Sequence, residues 1–147
     1  MKKLSLAVIS AILAFGTACG QSMEKITRIT FTKQSRGYVD EVVISRDSVQ
    51  GFIDNHRAPE ETKHYASAVD EDQWAELMLA LKEVSLPDID GLQSPTTNRA
   101  HDGALHSSIV ITLDDGNTIS HSFDDENPHP DLQPLLDEIL KFRIPTK

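Results

Sequence analysis

The chain has 147 residues, with 14 Lys or Arg against 23 Asp or Glu, giving a formal net charge of −9. That balance argues against a nucleic-acid surface, which needs clustered cations, and against electrostatic adhesion to anionic lipid. An apolar content of 39% suits a folded domain, and a single cysteine excludes a disulfide within the chain, so the core alone must hold the fold.

Lys2 and Lys3 precede an apolar run from Leu4 to Phe15, broken only by Ser5 and Ser10, and the small residues Gly16, Thr17 and Ala18 follow. This is the three-part layout of a secretory signal over residues 1–18. The run is shorter than the roughly 20 apolar residues a membrane-spanning helix needs. Residues 19–25 read as a short tether, and residues 26–147 as one domain.

The stretch Ala14-Phe15-Gly16-Thr17-Ala18-Cys19 resembles the lipobox of bacterial lipoproteins, with Gly16 where that family usually has Leu. The resemblance implies cleavage before Cys19 and lipid attachment to it; more than one acyl chain on a residue gives stable anchoring. Gly20 stands where Asp marks inner-membrane retention in enterobacterial lipoproteins, which implies the outer membrane of the cell envelope. Loss of residues 1–18 removes two lysines and no acid, so the charge moves from −9 to −11. The alternative is ordinary cleavage after Ala18 or Gly20, which leaves or removes a free thiol.

The spacing of the rest predicts an α+β domain: an antiparallel β-sheet of two hairpins, with one or two extra strands, packed on one face against two α-helices. Ile26 to Lys33 is β-branched with an Ile29, Phe31 alternation and reads as a strand. A turn at Ser35-Arg36-Gly37 leads to a second strand, Tyr38 to Ser45. Ser48 to Asp54 and Lys63 to Val69 are candidate third and fourth strands. Asp70 to Val84 is helical: Asp70 and Gln73 have capping-box spacing, and Trp74, Leu77, Met78, Leu81 and Val84 form an apolar stripe.

Leu86 to His106 is a polar connection longer than structureless loops usually run, hence either an ordered surface or a flexible one. Ser107 to Leu113 and Asn117 to Phe123 form the second hairpin. A three-residue loop, Asp114-Asp115-Gly116 with Gly116 left-handed, pairs Ile111 with Ile119 and Ile109 with His121. That register gathers the apolar side chains on one face, and a one-residue slip would scatter them. In the acidic run from Asp124 to Asp131, Asp131 is placed to cap a last helix, Leu132 to Phe142, with Pro134 in its first turn.

The residue types present bear on four kinds of function. His101, Asp102, His106, His121, Asp124 and His129 are metal-ligand types crowded into the second half, yet they show no fixed ligand spacing. The run DDENPHPD supplies carboxylates for calcium without the spacing of an EF-hand loop. His64, His101 and Asp102 could serve a hydrolase, but no serine lies in a nucleophile elbow. A protein-binding surface needs only an exposed edge, face or loop, and the Ser/Thr-lined outer face and the 86–106 connection supply these. The expectation is therefore a non-catalytic module with no cofactor, which binds an envelope protein or a ligand. A divalent-metal-binding periplasmic protein is an alternative.

The order of hairpin, amphipathic helix, loop with Asp102-Gly103, hairpin with an acidic turn, and Pro130 followed by Leu132, Leu135 and Leu136 resembles emfourin-like inhibitors of bacterial metalloproteases. The resemblance covers about residues 26–142 and implies a protease partner. It carries no inhibitory residue across, and that family's glycine-rich first turn is reduced here to Ser35-Arg36-Gly37. The chain also resembles small bacterial envelope lipoproteins.

Overall fold

The computed structural model describes residues 25–143. The signal-like segment, Cys19 and all of the tether but Lys25 lie outside the described residues. Six strands form one antiparallel sheet: β1 (Ile26–Ser35), β2 (Tyr38–Ser45), β3 (Ser48–Asn55), β4 (Lys63–Ala68), β5 (His106–Leu113) and β6 (Thr118–Asp124). Two helices, α1 (Glu71–Lys82) and α2 (Gln133–Leu140), complete an α+β domain. The spatial order is β4-β3-β2-β1-β5-β6. The first four strands are a meander, and β1 joins it to the second hairpin. Both candidate extra strands are present.

Period-two alternation sorts the side chains. Ile29 and Phe31 on β1, Val42 and Ile44 on β2, and Ile109 and Ile111 on β5 are fully buried. They meet Leu77 and Leu81 of α1 and Leu135, Leu136 and Ile139 of α2, equally buried. Ile26 lies out of phase with Ile29. A β-bulge between Ile26 and Arg28 absorbs the extra residue, so both isoleucines face the core. Trp74 does not reach the centre as the stripe implied; it is partly buried and packs against the core from its margin.

The second hairpin adopts the expected register, with Ile111 opposite Ile119 and Ile109 opposite His121. Gly116 has φ of 84°, the left-handed region its loop requires. At α1, Asp70 accepts from the Gln73 N–H at 2.8 Å and the Gln73 side chain accepts from the Asp70 N–H at 3.0 Å, closing the capping box. The cap of α2 differs from expectation. A 3-10 turn, Pro130–Leu132, precedes the helix, and the His129 Nδ1 accepts from the Asp131 N–H at 3.3 Å. The helix then ends at Leu140 rather than Phe142.

Gly51 in mid-strand has a packing reason. The Tyr65 ring from the neighbouring strand lies where a Cβ on Gly51 would stand. An aromatic thus covers a strand glycine that has no side chain of its own to pack. Gly51→Ala is expected to displace Tyr65 and destabilise the domain by about 1–3 kcal/mol in urea unfolding. Phe31→Ala, at a fully buried site on the central strand, is expected to cost about 3–5 kcal/mol.

Candidate functional site

The connection from 86 to 106 is an ordered cover. Its 3-10 segments Leu86–Gly91 and Asn98–Ala100 lie along β6. Ile89 is fully buried, and Asp90 accepts from the edge N–H of Ser120 at 2.6 Å. One side chain holds the middle of the connection. Asp124, at the end of β6, accepts from the N–H groups of Asn98 at 2.6 Å and Arg99 at 2.9 Å, from the Thr96 hydroxyl, and from the Arg99 guanidinium at 3.2 Å. Burial works against its charge, but these donors outweigh it and hold its pKa down at about 2.

The residues proposed for metal binding are placed by this architecture and are not brought into one site. Asp124 spends its oxygens on the connection. His121 is 4% exposed, stacks on Phe123 with ring centroids 5.6 Å apart, and accepts from the His129 N–H at 3.4 Å. Burial lowers its pKa, and His129 and Arg99 lower it further. His101 and Asp102 are exposed, and Asp102 lies 3.6 Å from Arg36 in the β1–β2 turn. His106 opens β5 opposite Asp124 in the strand register. Among the described residues no group of three or more His, Cys, Asp or Glu side chains is arranged to hold a metal ion. His64 of the hydrolase set lies on β4, where it stacks on Phe52 at 5.9 Å.

The acidic run after β6 is a structural fastening. Asp125 turns with φ of 48°, a conformation that Asp tolerates better than most residues, and its carbonyl accepts from the Ser107 hydroxyl. Lys33 of β1 pairs with Asp125 at 2.5 Å and with Glu126 at 2.9 Å. Arg143 beyond α2 pairs with Glu126 at 2.6 Å and, through Nε, with the fully buried Asp40 at 2.5 Å. The Tyr38 hydroxyl donates to Asp40 at 3.3 Å. Burial raises the pKa of Asp40 against the pull of Arg143, whereas Arg143 is held protonated by Glu126 and Asp40 despite its own burial. Sequence reasoning missed this network: Lys33 and Asp40 break the alternation of their strands, and that is the signal that could have exposed it.

The two ends of the sheet differ. The edge of β6 is covered by the 86–106 connection. β4 is the outermost strand on the other side, and its exposed residues include His64, Ala66, Ser67 and Ala68. Beside it, on the face away from the helices, is a shallow hollow of about 240 Å³, lined by Glu41, Val43, Gln50, Phe52, His64 and Ala66 among others. No family model, curated protein or solved structure matches the chain.

Two pH-linked outcomes follow. His121 has a lowered folded-state pKa, so the unfolded chain binds the extra proton first, and stability falls as pH drops below about 6.5. Thermal melts between pH 7.5 and 5 should show this slope, and His121→Leu should flatten it. Asp124 contributes stability above its unfolded pKa that is lost only as pH falls toward 2. At neutral pH, Asp124→Ala should speed amide exchange at Asn98 and Arg99 by about tenfold or more, because both N–H groups lose a charged acceptor.

Proposed function

We propose that this chain is a bacterial envelope lipoprotein whose domain is a non-catalytic binding module. Cys19 is the lipid-attachment residue, and residues 1–18 are the signal removed before it. Gly20 favours the outer membrane as the site of anchoring. The observation that carries the binding role is the asymmetry of the sheet: among the described residues, one edge is covered by an ordered connection and the other, β4, is not. Uncovered edges invite pairing with another chain, and proteins commonly blunt them with proline, charge or a covering loop. β4 has no proline, and Lys63 is its single Lys, Arg, Asp or Glu.

An extended segment of another envelope protein is the occupant such an edge suits. Main-chain hydrogen bonds to β4 would supply affinity, and the hollow beside Phe52 and His64 would take a side chain for specificity. The strongly acidic balance of the chain speaks against nucleic acid as the partner.

Metabolic labelling with an alkynyl fatty acid tests the anchor: label on the wild type and none on Cys19→Ala is expected, and label on both contradicts it. A photo-crosslinking residue at Ala66 tests the edge. A discrete adduct that Ala68→Pro abolishes is expected, with melting temperature retained, because the adjacent Val69 N–H is the one bonded across to Asp47 and the Ala68 N–H therefore faces away from β3. Equal crosslinking from Ser122, on the opposite side of the sheet, would contradict the assignment to β4. A metalloprotease in the adduct would support the inhibitor resemblance.

A further inference from the structure

At the end of the sheet where β1 turns into β2 lies a second, larger hollow of about 460 Å³, within the size range of small-molecule sites. Four separate pieces of chain converge on it. The β1–β2 hairpin brings Lys33, Arg36 and Tyr38, the end of β3 and the turn after it bring Asn55 and Arg57, the 86–106 connection brings Gly103 and Leu105, and the segment beyond α2 brings Arg143. Every charged side chain lining it is a cation, in a chain that carries 23 acids against 14 bases.

The cations fall into two pairs with different roles. Lys33 and Arg143 are held from behind by Asp40, Asp125 and Glu126, as described above, so their positions are fixed before any ligand arrives. Arg36 and Arg57 stand at the mouth. Arg36 faces Asp102 at 3.6 Å, with the two side chains 79% and 87% exposed, an arrangement that contributes little and is readily exchanged. Arg57 has no acidic partner within ion-pairing distance among the described residues. The loops that carry the mouth residues are tied together: the His56 N–H donates to the Gly37 carbonyl at 2.9 Å. Gly37 and Gly103 both turn with φ of 79°.

We propose that this hollow binds a small oxyanion, a carboxylate or phosphate group. Lys33 and Arg143 form its preset floor, and Arg36 and Arg57 close on it as paired guanidinium donors. Guanidinium groups match the two oxygens of such an anion. Asp40, Asp125 and Glu126 neutralise Lys33 and Arg143 in the empty state, so the uncompensated charge is that of Arg57, joined by Arg36 when it exchanges its exposed contact with Asp102 for the ligand. The site also has a direction. β1 begins at Ile26, next to the tether, and the hollow lies past its other end at Ser35, roughly 30 Å along a strand of 10 residues. If the chain is anchored at Cys19 as proposed above, the hollow faces away from the anchoring membrane. Its ligand is then a dissolved or polymer-borne anion rather than a headgroup of that leaflet. Anion binding itself does not depend on the anchor.

The full-length lipidated protein in nanodiscs of neutral lipid, titrated with inorganic phosphate and separately with citrate, tests the site by NMR. Saturable shifts confined to Gly37, Arg57, Gly103 and Arg143 are expected with at least one of the two anions. Arg36→Ala with Arg57→Ala should weaken binding by about tenfold or more, since each loses a charge-assisted contact, and should leave the melting temperature unchanged. Arg28→Ala with Arg46→Ala, remote from the hollow, should leave binding unaltered. No saturable shift, or equal weakening by the remote pair, would overturn the site. Shifts seen only in nanodiscs containing phosphatidylglycerol would overturn its direction and assign the anion to a lipid.

Discussion

The buried carboxylate of Asp40 is the constraint on which the far end of the molecule depends. It stands on the core face of β2, fully removed from water, and Arg143 Nε is 2.5 Å away. A charge in that position must be paired or neutralised. The pairing recruits the residue just beyond α2, and Arg143 in turn engages Glu126 after β6, which also holds Lys33 of β1. Three segments distant in sequence, the β1–β2 hairpin, the turn after β6 and the residues beyond α2, are thereby fixed to one another. The apolar core fixes the helices over the middle of the sheet; the charged network fixes where the last helix ends and how the acidic turn is set.

That network also explains why the acidic surplus of the chain is not all spent in solvent. Asp124, Asp125 and Glu126 are consecutive, and all three are committed to structure: Asp124 to the 86–106 connection, Asp125 and Glu126 to Lys33, and Glu126 to Arg143 as well. The connection closes the β6 edge, and the network steadies the floor of the cationic hollow. The open β4 edge lies outside both arrangements. Among the described residues, one flank is thus well fastened and the β4 edge is left without a covering segment.

Most of the fold was legible in the sequence because it rests on local rules. The capping box at Asp70 and Gln73 and the three-residue loop at Gly116 need only the chemistry of neighbouring residues. The register of the second hairpin follows from sorting Ile109, Ile111 and Ile119 onto one face. What could not be read came from long-range partners. The bulge near Ile26 depends on β5, the marginal place of Trp74 on how α1 sits over the sheet, and the His129 cap on the 3-10 turn before α2. The candidate site was harder still. Asp124 and His121 were recognisable as ligand-type residues, but what occupies them, Asn98, Arg99 and His129, depends on where the long connection and the acidic turn pack. The charged hollow draws on four segments, and no pattern of spacing within any one of them announces it.

The most direct measurement is a urea-unfolding comparison of wild type, Arg143→Met, and Arg143→Met combined with Asp40→Leu. If Asp40 is the buried charge that organises this end of the domain, Arg143→Met should lose about 3–5 kcal/mol, and the double variant should recover most of it by replacing the pair with apolar packing. A loss below about 1 kcal/mol for Arg143→Met, the range of an exposed ion pair, would contradict the account.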